Sequence, residues 1–258
     1  MENILSCFNN VKPVIGVIHA KGSSDADVHE RAKREIDVYI NNDVDGIMVE
    51  TYFGNYYQVE AVLRYLEAAD LGHPYGVNCL NFDAMGFELA NRYKCQFLQV
   101  DSVVGHVVPR DEASLDAFFK LYRSKCMARV MGGVRFKYQP VLSYNSVEED
   151  LRIGMTRCDA ICVTQDATGQ ETSLEKIKLF RDVIGDFPLF VCAGVTPENA
   201  CSQLRYTDGA VVGSYFKDNY KDDGNVSAEH VAALMSVVKD YRKSLAENSP
   251  EISNRKVE

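Results

Sequence analysis

No stretch of 18 apolar residues occurs in this 258-residue chain, and its first ten residues hold neither a charged segment nor a long apolar one. A membrane-spanning helix and a signal peptide are therefore not expected. Basic residues are in deficit: 28 Lys and Arg stand against 37 Asp and Glu, for a net charge of −9. A general binder of nucleic-acid polymers or of anionic membrane surfaces needs the opposite balance. The eight cysteines include no CxxC pair, and Cys79, Cys162 and Cys192 fall inside apolar runs, where a reduced thiol packs as a small hydrophobe. The expected location is the cytoplasm. HxH and HExxH spacings, a GxSxG elbow and a GxGxxG fingerprint are missing as well. These absences remove the sequence signatures of zincin, serine-hydrolase and Rossmann dinucleotide chemistry.

What is present is alternation. Short apolar runs read as buried parallel strands at Pro13 to Ala20, Gly46 to Thr51, Pro74 to Leu80, Phe97 to Val103, Asp159 to Thr164, Pro188 to Gly194 and Asp208 to Gly213. A fifth strand is expected at Val134 to Val141, where Arg135, Lys137 and Gln139 alternate with apolar residues. Between the runs lie amphipathic segments, such as Asp27 to Asn41 with Val28, Ala32, Ile36, Tyr39 and Ile40 on one face. Eight strand-then-helix units in a chain of this length predict an α/β fold, a (β/α)8 TIM barrel, as one domain over residues 1–245. Residues 246–258, rich in Asn, Ser, Glu and Lys, are expected to be a disordered tail. Asp222-Asp-Gly-Asn225 reads as a surface turn, since it lacks the ligand spacing and closing Glu of an EF-hand.

The last two strands each end in glycine. Gly194-Val195-Thr196 leads to Pro197 and Asn199, with Thr196 placed to cap a helix, and Gly213-Ser214 follows the eighth strand. In a barrel these two loops form the phosphate site, so Gly194, Val195, Thr196, Asn199, Gly213 and Ser214 are the expected phosphate-binding residues. Strand ends on the same face supply the chemistry. His19, Glu50, Asp83, Asp101 and Lys137 are the candidate catalytic groups, and Asn78, Thr164, Thr168 and Gly169 the candidate substrate-binding groups. Each also has a plainer reading: His19 as a hydrogen-bonded rim histidine, Asp83 as the cap of the next helix, and Lys137 as the salt-bridge partner of Asp101. No resident metal or cofactor is expected, although a Mg2+ ion brought by a phosphate is compatible with these donors.

Taken in order, Lys12-Pro-Val-Ile-Gly-Val-Ile-His19, Val44-Asp-Gly-Ile-Met-Val-Glu50, Gly76-Val-Asn78 with Asp83-Ala, Thr164 with Thr168-Gly169, Gly194-Val-Thr-Pro-Glu-Asn199 and Asp208-Gly-Ala-Val-Val-Gly-Ser-Tyr-Phe-Lys217 resemble the BtpA/SgcQ family over about residues 12 to 240. The resemblance implies a TIM-type barrel related to phosphate-binding barrels. It also implies a cytoplasmic or membrane-peripheral protein, named for photosystem I accumulation in one branch and similar to enzymes of sugar or nucleoside metabolism in others. His19, Glu50, Asn78, Asp83, Lys137 and Thr168-Gly169 match the family's residue types. Gln99-Val-Asp101 departs from its Arg-Val-Asn, Tyr138 from its His, and the loop Gly105 to Arg110 is shorter.

The expected function is acid/base catalysis on a phosphorylated sugar or nucleotide, with glycosidic-bond hydrolysis ranked ahead of lyase or isomerase chemistry because two candidate carboxylates are present. A barrel kept as a non-catalytic phosphosugar- or nucleotide-binding or assembly factor is the alternative. The expected partner is a phosphorylated small molecule, with homo-oligomer formation compatible with either reading.

Overall fold

The computed structural model describes residues 3–105 and 111–247. Eight strands alternate with eight helices: β1 Val14–His19, α1 Asp25–Asn41, β2 Gly46–Glu50, α2 Tyr56–Ala69, β3 Tyr75–Asn78, α3 Asp83–Arg92, β4 Phe97–Val100, α4 Glu112–Arg123, β5 Arg129–Gly133, α5 Val147–Met155, β6 Ala160–Val163, α6 Leu174–Ile184, β7 Leu189–Val191, α7 Ala200–Leu204, β8 Gly209–Val212 and α8 Ala228–Glu247. All pairings are parallel, and β8 returns to β1 to close the barrel, the (β/α)8 fold expected from the alternation.

Side chains that point inward form a core separate from the layer between strands and helices. Ile15, Val17, Met48, Phe97, Met131, Cys162, Phe190 and Val211 fill the barrel, and Ile4 and Phe8 of the N-terminal segment close its lower end. The Phe8 ring stands 5.6 Å from that of Phe97 and 6.4 Å from that of Phe190. Phe97 reaches across β3 only because residue 76 is glycine: a Cβ there would lie 2.2 Å from the ring. Large apolar groups below thus leave the upper end to polar ones.

A recurring device joins the strands in pairs. The residue before each even-numbered strand accepts an N–H from the first two residues of the preceding odd one: Asp45 from Val14 at 2.8 Å, Gln96 from Tyr75 at 2.9 Å, Asp159 from Val130 at 2.8 Å and Asp208 from Leu189 at 2.9 Å. The three aspartates are each neutralised by an arginine: Arg242, Arg123 and Arg181 at 2.5, 2.8 and 2.6 Å. These pairs satisfy backbone donors that the lower edge of a barrel would otherwise leave unpaired.

Two expectations need correction. The fifth strand is Arg129–Gly133, and residues 134–141 form a loop. Arg135 and Tyr138 adopt left-handed backbone conformations, with φ of 49° and 59°, which an extended strand cannot contain. The true strand escapes pattern reading because it opens on a charge and ends in two glycines. The helix after β7 begins at Ala200 and not at Pro197, and Asn199, not Thr196, occupies its N-cap position. At the C-terminus α8 runs through Glu247, so Ala246 and Glu247 of the expected tail are helical; residues 248–258 lie outside the described residues, as do 106–110 of the shortened loop.

Candidate functional site

Strand register sets one level of polar groups across four adjacent strands. His19 pairs with Glu50, Glu50 with Asn78 and Asn78 with Gln99, so all four side chains share the inward face at the C-terminal end of the barrel. All four are buried. Burying four such groups is costly unless they bond to one another or to a ligand. They do so in part: Asn78 Nδ2 donates to Asp101 Oδ1 at 3.1 Å and approaches Glu50 Oε1 at 3.5 Å, while Gln99 Nε2 donates to the same Asp101 oxygen at 3.2 Å. Their own acceptors, Asn78 Oδ1 and Gln99 Oε1, have no partner among the described residues.

His19 is fixed from two sides. Its Nδ1 lies 2.7 Å from the backbone carbonyl of Asp222, and its Nε2 lies 3.5 Å from Glu50 Oε2. A carbonyl only accepts, so Nδ1 carries a proton. Nε2 and the Glu50 oxygen therefore have one proton to share between them. Burial pushes the Glu50 carboxyl up, but His19, then Lys137 and Asn78, outweigh it and hold the group below the usual carboxylate range. Asp101 goes the other way. Burial and the neighbouring Glu50 charge raise it to about 6, against the partial relief that Asn78, Gln99 and Lys137 provide. Two nearby carboxyls are thus split into one ionised and one that keeps its proton into the weakly acidic range.

A cavity of about 40 Å³ at the centre of the mouth is lined by His19, Glu50, Gln99, Lys137, Thr168 and Gly169 on one side and by Gly194, Gly213 and Ser214 on the other. Tyr52 covers it, with its ring centroid 5.0 Å from that of His19, and Phe53 packs edge-on at 5.9 Å. Lys137 reaches the cavity from the loop after β5; its N–H donates to Thr164 Oγ1 at 2.7 Å. Its ammonium forms no salt bridge with Asp101, contrary to the expectation, since the amides of Asn78 and Gln99 hold that carboxyl.

An adjoining cavity of about 100 Å³ is lined by Gly194, Val195, Thr196, Gly213, Ser214, Tyr215 and Tyr220. Gly194 has φ 68°, and a Cβ there would lie 2.4 Å from the backbone of Gln170, so only glycine lets this loop pack against the one after β6. The last β1–β8 pair is Gly16 with Val212. Beyond it the carbonyl of Val17 is taken by Tyr39 Oη at 2.8 Å and by the buried Lys217 Nζ at 3.4 Å, so the ladder stops. Ser214, whose N–H is next in line for that carbonyl, is thus left without an acceptor, and the N–H groups of Val195 and Gly213 likewise have no acceptor among the described residues.

The remaining expected residues fall elsewhere. Asp83 opens α3 in its first turn and lines neither cavity. Thr164 is fully buried and positions Lys137. Asn78 and Asp101 stand behind the cavity wall, bonded to each other. Asn199 braces the loop, accepting from the Thr196 N–H at 2.8 Å and donating to the Gly194 carbonyl at 2.8 Å, so neither Asn199 nor the Thr196 N–H faces a ligand freely. Pattern reading overlooked Gln99, whose signal was a glutamine in an otherwise apolar strand two residues before Asp101. The Asp222 carbonyl has no sequence signal at all.

Among the described residues, no three His, Cys, Asp or Glu side chains converge as a metal cluster, and no helix is long and apolar enough to cross a membrane. A larger groove of about 590 Å³ lies on the flank between the end of α4 and the start of β5. Its charges are largely paired with one another, as in Arg123–Asp159 at 2.8 Å and Arg157–Asp116 at 3.3 Å, so the barrel mouth is the site the chemistry favours.

A closed parallel barrel with polar strand ends facing two glycine loops defines a TIM barrel with its site at the C-terminal face. Solved structures agree on the fold. A structure described as native KDPGal is 15% identical, with a TM-score of 0.63, and the match covers 91% of this chain and 96% of that one. An archaeal fructose 1,6-bisphosphate aldolase is 13% identical, with a TM-score of 0.60, covering 92% and 98%. Within that class the chain belongs to the BtpA family, whose model matches residues 10–240. An uncharacterised protein of Pyrococcus furiosus is 28% identical over 252 residues, covering 87% of this chain and 94% of its own length. The photosystem I biogenesis protein BtpA of Synechocystis is 24% identical over 274 residues, covering 94% and 93%.

Proposed function

We propose that this chain is an enzyme of phosphorylated sugars. It holds the phosphoryl group on the N–H groups of Val195, Gly213 and Ser214 and moves a proton at the sugar through the His19–Glu50 pair. The observation that carries the reading is that one cavity has both parts as its walls: the shared-proton pair on one side and the glycine loops on the other. Backbone donors without acceptors, gathered on two neighbouring loops, suit an anion. The orphaned acceptor on the wall of that cavity, Gln99 Oε1, suits the hydroxyl of a sugar, which donates.

The chemistry follows from the protonation states. Glu50, ionised, stabilises positive charge developing at a sugar carbon or takes a proton from an attacking water. His19, protonated on both nitrogens while paired with Glu50, gives the Nε2 proton to the departing atom. Lys137 adds a positive charge to the cavity wall. Cleavage of a glycosidic bond in a sugar phosphate uses all three groups and ranks first; isomerisation or carbon–carbon cleavage of the same substrate class uses the same proton pair.

A cavity of about 40 Å³ has room for a few waters and not for a sugar. Entry of a sugar therefore requires the loop carrying Tyr52 and Phe53 to swing off His19, a gating motion of the kind barrel enzymes use to exclude water.

The test is incubation with a panel of phosphorylated sugars and nucleosides, with product detection and a Glu50→Gln variant. The reading expects turnover of at least one compound, reduced about 10²–10⁴-fold by the variant while binding is kept. Tight binding without product across the panel would assign the site to sensing or assembly instead.

A further inference from the structure

The glycine loops face two cavities. Gly169, Gly194, Gly213 and Ser214 line both the proton-transfer cavity and the adjoining one, so a phosphoryl group on these loops sits between them. The far side of the second cavity is aromatic. Tyr215 and Tyr220 line it, and the Tyr220 ring lies nearly parallel to that of His230, with centroids 4.4 Å apart and planes 13° apart. Tyr215 completes a three-ring wall, 5.8 Å from Tyr220 and 5.7 Å from His230.

Tyr220 is held there at a cost. Its φ of 58° lies in the left-handed region, which a bulky side chain avoids, and its side chain is 57% exposed even though His230 stacks on it. Strained backbone clusters at ligand clamps, and Tyr220 combines it with an exposed ring on the wall of a cavity. His230 is itself anchored, with its Nδ1 2.9 Å from the carbonyl of Lys217. The stack is a rigid platform at the edge of a phosphoryl cradle.

We propose that the ligand continues through its phosphoryl group into the second cavity and stacks an aromatic base on Tyr220. The substrate class is then a diphosphate joining a sugar to a nucleoside, with the sugar in the His19–Glu50 cavity. This inference rests on the function proposed above and narrows it. A simple sugar phosphate leaves Tyr220 uncovered, and a nucleoside monophosphate cannot fill both cavities from one terminal phosphoryl group.

The test compares matched probes by calorimetry: ribose 5-phosphate with ADP-ribose, and glucose 1-phosphate with UDP-glucose. In at least one pair the nucleoside-bearing member is expected to bind about fivefold or more tightly, the low end of what stacking a base on an aromatic ring supplies. Tyr220→Ala is expected to abolish that advantage and leave the monophosphate affinity unchanged. Tyr220→Phe retains it. Tyr220→Gly removes the ring while relieving the left-handed backbone, so loss of the advantage in that variant does not reflect unfolding. Equal or weaker binding of both nucleoside-bearing probes, or an advantage that survives Tyr220→Ala and Tyr220→Gly, overturns the inference and leaves the sugar-phosphate function standing. Failure of all four probes to bind removes both.

Discussion

Nδ1 of His19 lies 2.7 Å from the backbone carbonyl of Asp222, a contact between the first strand and the loop after the eighth. That loop is tied down by Lys21 on the Asp223 carbonyl at 2.6 Å and by Arg31 on the Gly224 carbonyl. Fixing the Nδ1 proton leaves Nε2 and Glu50 as the groups that the proposed function uses to exchange a proton with substrate. In nitrogen-15 NMR, His19 is expected to show a protonated, slowly exchanging Nδ1. A His19 protonated only on Nε2 would contradict this arrangement.

Asp101 gives a pH prediction. Its folded-state value of about 6 lies above the ordinary aspartate value of 3.8, so between the two the folded protein holds a proton there that the unfolded chain has lost. The stabilisation from protonation is present below the unfolded value and is lost as pH rises through about 6. Asp101→Asn should therefore raise stability relative to the parent at pH 8, by at most about 3 kcal/mol at 1.36 kcal/mol per pKa unit, and the difference should vanish near pH 4. Denaturant unfolding at the two pH values measures it.

Two glycines separate architecture from binding. Gly194→Ala forces a left-handed φ on a residue with a Cβ and drives it to 2.4 Å from backbone, so stability should fall by about 1–3 kcal/mol. At Gly213 φ is −112°, and a Cβ would meet only His19 and Val17 at 3.9 Å, ordinary contact. Gly213→Ala should keep the melting temperature and lose phosphate affinity, because the methyl group, beside His19 and Val17, takes up room in the small cavity that Gly213 lines.

Asp45 illustrates the strand-pair device. It is buried, accepts the N–H of Val14 and a bond from Asn10 at 2.8 Å, and neutralises Arg242. Asp45→Ala leaves a largely buried guanidinium and a buried N–H unpaired, and thermal unfolding should show a loss of about 3–5 kcal/mol. The exposed pair Lys239–Asp43 should contribute less than about 1 kcal/mol.

The barrel was legible because buried parallel strands are short apolar runs, and β1 to β4, β6, β7 and β8 all have that form. Residues 134–141 misled because polar alternation mimics a strand while the left-handed positions that break it, Arg135 and Tyr138, leave no mark in composition. His19, Glu50 and Asn78 could be found as polar residues ending apolar runs. Asp83 had the same appearance but sits past its strand, in the first turn of α3. The two loops proposed to hold an anion stand out in the sequence by their glycines, yet which N–H groups lack an acceptor depends on Asn199 bracing Thr196 and on Lys217 and Tyr39 occupying the Val17 carbonyl. Those are long-range contacts, and a single sequence does not encode them locally.

The most direct measurement is the melting temperature with inorganic phosphate and with ribose 5-phosphate, for the parent protein and for Gly213→Ala. At about ten times the dissociation constant, binding to the native state adds about 1.4 kcal/mol, a rise of about 3–5 °C for a domain of this size. The parent is expected to show that rise, and Gly213→Ala is expected to melt at the parent's ligand-free temperature with or without phosphate. An unchanged melting temperature in the parent with both compounds, or an undiminished rise in Gly213→Ala, would contradict a phosphoryl group held on these loops.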